Sequence, residues 1–235
     1  MPELPELADL EALKAFDTPT ICNALEAVAP HRRALGFNRR PLVAPFPAMK
    51  PVVAFARTAT IRCREPHPGG PREAGKISFA YYEHIAAKPL PSIAVIQDLD
   101  GPDIGLGSFW GEVNSAMHKG LGCAGVITDG SVRDLDVWAE GFFVLAGMIM
   151  PSHANVHVVD IGTVVNVAGM VVSPNDVIHA DRHGAVVVPA DVIKAIPEAA
   201  ALIARREKVI VEASKKPGFS IAELRKAFAE SAQVH

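Results

Sequence analysis

Apolar positions recur at helical spacing over residues 8–16, Ala-Asp-Leu-Glu-Ala-Leu-Lys-Ala-Phe, and predict a first helix. Asp17-Thr18-Pro19-Thr20 restarts the chain. Thr18 as N-cap with Pro19 at the first helical position predicts a second helix through about Ala27. Residues 29–50 carry Pro30, Pro41, Pro45 and Pro47 without a clean period and read as irregular. Residues 52–62 alternate and are rich in β-branched side chains, as a strand requires. Residues 66–71, with Gly69-Gly70, read as a flexible loop, 76–87 as a helix, and 92–97 as a strand.

A glycine-rich loop follows at 101–110, then a helix from about Gly111 to Gly120 and a short apolar strand at 125–128. A loop at 129–134 and a short helix at 135–140 complete this central stretch, and an apolar run over 142–150 ends at Pro151. From about 156 to 189, Val and Ile alternate with turn residues, which predicts short strands joined by tight turns. One such turn is 181–184, between strands at 177–180 and 185–188. A long helix starts at Ala190 or Asp191, is kinked or broken near Pro197, and runs to about Ala213. Ser220 caps a last helix, with Glu223 in the capping-box position. The pattern predicts an α/β fold in one domain over residues 1–235, the C-terminal helices from about 190 forming an appendage.

Composition narrows the class. Apolar residues make up 49% and aromatics 6%, so the core is expected to be Val, Ile, Leu and Ala. A net charge of −3 with mixed signs gives no field for nucleic acid or a membrane surface. The cluster His31-Arg32-Arg33, with Arg39-Arg40, reads as a solvated loop. Cys22, Cys63 and Cys123 are scattered and odd in number, which fits packing roles and a reducing, cytoplasmic setting. The acidic N-terminus has no apolar signal core, and no run is long enough for a membrane span.

The candidate chemistry lies in the central stretch. Twenty residues separate Glu112 from Arg133, enough for a helix, a turn and a strand. Such a unit folds back, so both loops meet at one sheet edge, where open α/β folds bind ligands. Gly105, Gly107 and Gly111 permit close backbone approach to a ligand. The amides of Gly111, Glu112, Val113 and Asn114 would be the free N–H groups of a helix N-terminus, which bind carboxylate or phosphate. Arg133 can fork onto a carboxylate or keto oxygen. Asp134 offers hard oxygen to Mg²⁺ or Mn²⁺, or else simply caps the helix at Leu135. Glu112 can hold or deprotonate a water. The set suits a small anionic 2-oxo acid.

With Gly111-Glu112, the twenty-residue interval and Asp129-Gly-Ser-Val-Arg133-Asp134, the chain resembles the class II 4-hydroxy-4-methyl-2-oxoglutarate aldolases. It equally resembles the wider group named after the regulator of ribonuclease E activity. The likeness runs from Asp17-Thr-Pro-Thr to Asp181-Arg-His-Gly-Ala-Val-Val-Val-Pro. It implies a swivelling β/β/α sandwich with added N- and C-terminal helices, assembled as a homotrimer or hexamer with sites at the interfaces. It further implies a lyase that releases pyruvate from a 4-hydroxy-2-oxo dicarboxylate or from oxaloacetate. On that model Gly111, Glu112, Val113, Asn114 and Arg133 bind substrate, Arg133 and Glu112 are catalytic, and Asp134 holds Mg²⁺ or Mn²⁺. Glu112 stands where those aldolases usually have Asp. Glu198 or Glu26 is the acid a neighbouring subunit would contribute. The other expectation is a non-catalytic protein that binds and regulates a ribonuclease.

Four further patterns have structural readings beside the functional ones. Gly105-x-Gly107-x-x-x-Gly111, with Asp129 at the end of the next strand, imitates a dinucleotide loop but lacks its spacing. His153 and His157 have metal-ligand spacing for a helix, but the Val-rich setting predicts a strand that parts them by roughly 13 Å. Trp110 either walls the pocket or packs in the core, and Tyr81-Tyr82 reads as one buried and one exposed ring.

Overall fold

The computed structural model describes residues 4–235. Residues 1–3, the start of the segment expected to lack a signal core, lie outside them. Helices α1 (Leu7–Leu13) and α2 (Thr18–Val28) lead through an irregular segment to strand β1 (Val52–Arg62). Helix α3 (Gly70–Ala86) and strand β2 (Ser92–Asp98) follow, then β3 (Ser108–Trp110), α4 (Glu112–Gly120), β4 (Cys123–Thr128) and β5 (Ser131–Val132). Strands β6 (Phe143–Leu145), β7 (Met148–Ile149), β8 (His157–Ile161), β9 (Val165–Val167) and β10 (Met170–Val172) come next. Strands β11 (Val177–Asp181) and β12 (Gly184–Val188) and helices α5 (Ile196–Ser214) and α6 (Ile221–Ala232) complete the chain.

The main sheet has the order β12-β11-β1-β2-β4-β6, with β8 also on β1. Strands β1, β2, β4 and β6 are mutually parallel, as expected of strands joined by helical crossovers. One edge of the long β1 is shared: its first half pairs antiparallel with β11 and its second half with β8. Side-chain alternation along β1 sorts the core. Ala54 and Ala56 face the β9–β10 hairpin, with Val165, Val167, Met170 and Val172. Val53 and Phe55 face helices α1, α2 and α5, and Ala59 and Ile61 face α3. The result is a β/β/α sandwich, in which each fully buried Ile or Phe contributes roughly 1.5–3 kcal/mol. Among the described residues no helix is long and apolar enough to cross a membrane.

Several boundaries differ from the sequence reading, each for a local reason. Asp17, not Thr18, caps α2, accepting from the Thr20 N–H at 2.9 Å. The Thr18 hydroxyl instead meets His179 Nδ1 at 3.0 Å. Helix α3 begins at Gly70, inside the segment expected to be a flexible loop, because Pro71 is compatible with a first helical turn. Pro197 does not kink a helix. It sits in the first turn of α5, which starts at Ile196. The basic segment ties down the irregular stretch: Arg33 pairs with Glu26 at 2.9 Å, and Arg39 donates to the Gly169 carbonyl.

Candidate active site

The positioning sheet is a small one, made of β3, β5 and β7, all parallel. Sequence reasoning placed both loops at one sheet edge but did not separate this sheet from the main one. Ser108 pairs with Ser131 and Trp110 with Val132, and the Arg133 N–H donates to the Trp110 carbonyl at 2.9 Å. The chain therefore enters α4 from β3 and enters Arg133-Asp134 from β5 at the same end. Gly111, Glu112, Val113, Asn114, Arg133 and Asp134 all line one cleft of about 410 Å³ there.

Gly111 is the N-cap of α4, and no side chain caps it. The first helical bond runs from Ser115 N–H to the Gly111 carbonyl, so the amides of residues 112–114 precede it and face outward. A Cβ at Gly111 would strike the Asp134 carboxylate and lie 3.3 Å from Arg133 Cγ. Glycine is needed here because the carboxylate lies directly over the helix entrance. Arg133 Nε approaches Asp134 Oδ2 at 3.5 Å.

Asp134 takes the left-handed conformation, φ 56° and ψ 41°, and its side chain makes no capping hydrogen bond to the turn that follows. The capping alternative for Asp134 therefore does not hold. A non-glycine residue in this region carries strain, which clusters at functional sites. An exposed, uncapped carboxylate near Glu112 is a hard-oxygen donor of the kind Mg²⁺ takes together with waters, so these residues fit the divalent ion.

The Asn114 side chain, for which the sequence reading names no role, is structural. Its amide donates to the Phe109 carbonyl, and its Oδ1 accepts from the Tyr82 hydroxyl at 3.3 Å. Only its backbone is left to face the cleft. Beneath it His118 is fully buried, with Nδ1 2.6 Å from the Asn114 carbonyl and Nε2 2.8 Å from the Tyr81 hydroxyl. Burial pushes the imidazole down to about 4, against the pull of the Asn114 carbonyl. The ring is neutral at pH 7, so Nδ1–H donates to the carbonyl and Nε2 accepts from Tyr81. Trp110 packs into this buried aromatic group, 4.4 Å from the His118 ring, and does not wall the cleft.

Two of the three loop glycines do not cradle a ligand. A Cβ at Gly105 would meet the Met148 side chain, and one at Gly107 would meet Cys63 and the His153 carbonyl. Both serve protein packing, which overturns the reading of Gly105 and Gly107 as ligand-facing. Asp129 is likewise buried, accepting from the Asp98 N–H at 2.9 Å, and is no ribose acid.

Cys63, Asp98 and Asp100 form a second group with metal-ligand atoms within 4.8 Å of one another. Its atoms are already engaged. Asp100 Oδ2 accepts from the N–H groups of Cys63 and Arg64, and Asp98 accepts from those of Asp100 and Gly105. Burial and the Asp100 hydrogen bond push the Cys63 thiol up to about 12, so without a metal it is protonated and donates to Asp100 Oδ2 at 3.1 Å.

His153 is the cleft residue that sequence reasoning set aside. The two histidines do not share the extended strand that the Val-rich setting predicts: His153 sits in a turn, its carbonyl accepting from Val156 N–H, and lines the cleft, while only His157 begins β8, buried against His67. The available signal was the turn Pro151-Ser-His153-Ala after an apolar run, but nothing local shows which strand that run accompanies.

Comparison with known proteins adds the family. A family model described as RraA-like, Aldolase/RraA, matches residues 18–187. An uncharacterised protein of Methanocaldococcus jannaschii is 35% identical over 107 residues, 45% of this chain and 51% of that protein. The chain thus spans about half the length of the curated relative it matches. An uncharacterised protein from Pseudomonas syringae pv. tomato has a similar structure, with TM-score 0.71, 19% identity and 96% of each chain covered. Streptomyces coelicolor RraAS2, described as an unusual member of the RNase ES inhibitor RraA protein family, gives TM-score 0.69 at 22% identity, covering 88% of this chain and 96% of that one.

Proposed function

Since this chain belongs to the RraA-like family, we propose that the cleft at the α4 N-terminus is the active site of a divalent-metal-dependent lyase that releases pyruvate. The substrate is a 4-hydroxy-2-oxo dicarboxylate or oxaloacetate. One observation carries the reading: Asp134, strained and uncapped, lies over an uncapped glycine helix entrance next to Arg133.

Each residue has a role that follows from its place. The amides of residues 112–114 bind the carboxylate of the 2-oxo acid, favoured by the helix dipole. The Arg133 guanidinium donates to the 2-oxo oxygen and stabilises the negative charge that grows there as the distal C–C bond breaks. Asp134 is the residue that would hold Mg²⁺ or Mn²⁺, which when bound supplies a second positive charge to the same end of the substrate. Glu112 positions the water that takes the 4-hydroxyl proton and returns one to C3, giving pyruvate and an oxo fragment. For oxaloacetate the leaving fragment is carbon dioxide, and only the second transfer is needed.

The inferred assembly is a trimer or hexamer. Val113 and Met117, four residues apart on α4 beside the cleft, are exposed apolar side chains that a neighbouring subunit would cover. Glu198, exposed in the first turn of α5, is the candidate acid from that neighbour. Glu26 is already paired with Arg33.

A pyruvate-release assay with Mg²⁺ or Mn²⁺ tests the reading. Arg133→Ala and Asp134→Ala should each lower kcat/KM by about 10³-fold or more. Full activity in EDTA or in either variant would sink it. Inhibition of a ribonuclease, with no pyruvate from any 2-oxo acid, would establish the non-catalytic reading instead.

A further inference from the structure

We infer that His153 is the residue that recognises the distal carboxylate of the substrate, which makes the cleft selective for 2-oxo dicarboxylates over 2-oxo monocarboxylates. The inference rests on the reading of the cleft given above and concerns the half of the ligand that reading leaves unassigned.

The argument is one of donors. A dicarboxylate brings a second anion into a cleft that already contains Glu112 and Asp134. Of the side chains lining it, four carry N–H or O–H donors: Ser108, Asn114, Arg133 and His153. The Ser108 hydroxyl shares a 2.8 Å hydrogen bond with Ser131 and lies 2.9 Å from the Met150 carbonyl. The Asn114 amide is held by the Phe109 carbonyl. Arg133, with the α4 amides, belongs to the 2-oxo acid end. His153 remains. Its Nδ1 lies 2.8 Å from the Ala154 carbonyl, which it donates to, and Nε2 has no partner among the described residues. With Nδ1–H spent on the Ala154 carbonyl, Nε2 becomes a donor to the carboxylate when the ring takes up a proton together with the bound anion.

The loop carrying His153 is built to hold it. Ala154 has φ 46°, a left-handed conformation rarely taken by a residue with a Cβ and tolerated only where surroundings enforce it. The surroundings do so. The Ser152 carbonyl accepts from Ser108 N–H at 2.8 Å, and the Ser152 hydroxyl accepts from Ala154 N–H at 3.0 Å. Asn155 N–H donates to the Cys63 carbonyl, and Val156 N–H to that of His153 itself. The close seating of this loop on Gly107 explains why that glycine cannot carry a side chain. A strained turn fixed on both sides is a costly way to display a histidine that merely faces water.

Calorimetric titration with 2-oxoglutarate and with 2-oxobutyrate, in Mg²⁺ buffer, separates the possibilities without relying on turnover. The first probe has the distal carboxylate and the second lacks it. The unaltered protein should bind 2-oxoglutarate about tenfold more tightly, the worth of one charge-assisted hydrogen bond. His153→Ala should erase that preference and leave 2-oxobutyrate affinity unchanged, while His153→Lys should restore much of it. Arg133→Ala should weaken both probes together. A preference that survives His153→Ala, equal weakening of both probes by that variant, or no preference in the unaltered protein overturns the inference. Failure of the cleft reading shows separately, as 2-oxobutyrate binding that Arg133→Ala leaves untouched. No binding of either probe by the unaltered protein overturns both.

Discussion

At the residue scale the site depends on how closely two side chains approach one glycine. The Gly111 backbone is extended, at φ −163° and ψ −160°, and an alanine there would be conformationally acceptable. The obstacle is the Asp134 carboxylate, which the new Cβ would displace. Gly111→Ala should therefore fold normally and keep its Tm, yet lose about 10²-fold in kcat/KM, as a displacement of this kind costs. Thermal melts alongside the pyruvate assay check both halves. Asp134 gives the converse case. Asn occupies the left-handed region at least as readily as Asp, and the exposed Arg133 contact contributes little. Asp134→Asn should change stability by less than about 0.5 kcal/mol in urea unfolding while turnover collapses. A large loss of stability would mean that Asp134 is structural.

At the element scale α4 is fastened from below. Tyr82 and Phe109 hold the Asn114 side chain, and His118 joins the Asn114 carbonyl to Tyr81. This network has a pH signature. His118 titrates near 4 when folded and near about 6.5 when unfolded, so the unfolded chain binds the extra proton between these values. Its contribution is complete above about pH 6.5 and is lost as pH falls toward 4, on the order of 3 kcal/mol in all. Proton NMR should find the His118 midpoint near 4, and urea midpoints should fall between pH 7 and 4.5. A midpoint near that of a free imidazole would show that α4 is not anchored this way.

At the scale of the whole molecule the cleft opens beside exposed apolar positions on α4, Val113 and Met117. The proposed trimer would cover them. Light scattering after gel filtration should give three or six times the 25.0 kDa of one chain. Val113→Asp, which puts a charge into that contact, should shift the mass to one chain and reduce turnover with it. A monomeric unaltered protein with full activity would remove the interface from the proposal.

Much of this was legible in the sequence. Local pattern determined the helices and the strands of the main sheet, the β-branched core, and the Glu112-to-Arg133 interval, but it reads as loops the segments 101–110 and 129–134, which hold β3 and β5. These depend on side-chain period and on chain geometry over tens of residues. The resemblance at Gly111-Glu112 and Arg133-Asp134 pointed to the same six residues that the structure brings to one cleft. Tertiary structure alone decided what each of them touches. By itself Asp134 reads first as a helix cap, and only its left-handed backbone and a carboxylate that makes no capping bond and lies beside Arg133 separate the two roles. Gly105 and Gly107 looked like a ligand cradle, yet Met148, Cys63 and the His153 loop, distant in sequence, occupy that space. His153 itself, paired with His157 by spacing, belongs to the cleft through the parallel run of β7 beside β5. Period and propensity act between neighbours along the chain. The choice of which backbone lies against which carboxylate is made by packing between segments far apart in sequence, and the strained Asp134 at the entrance of α4 is one such choice.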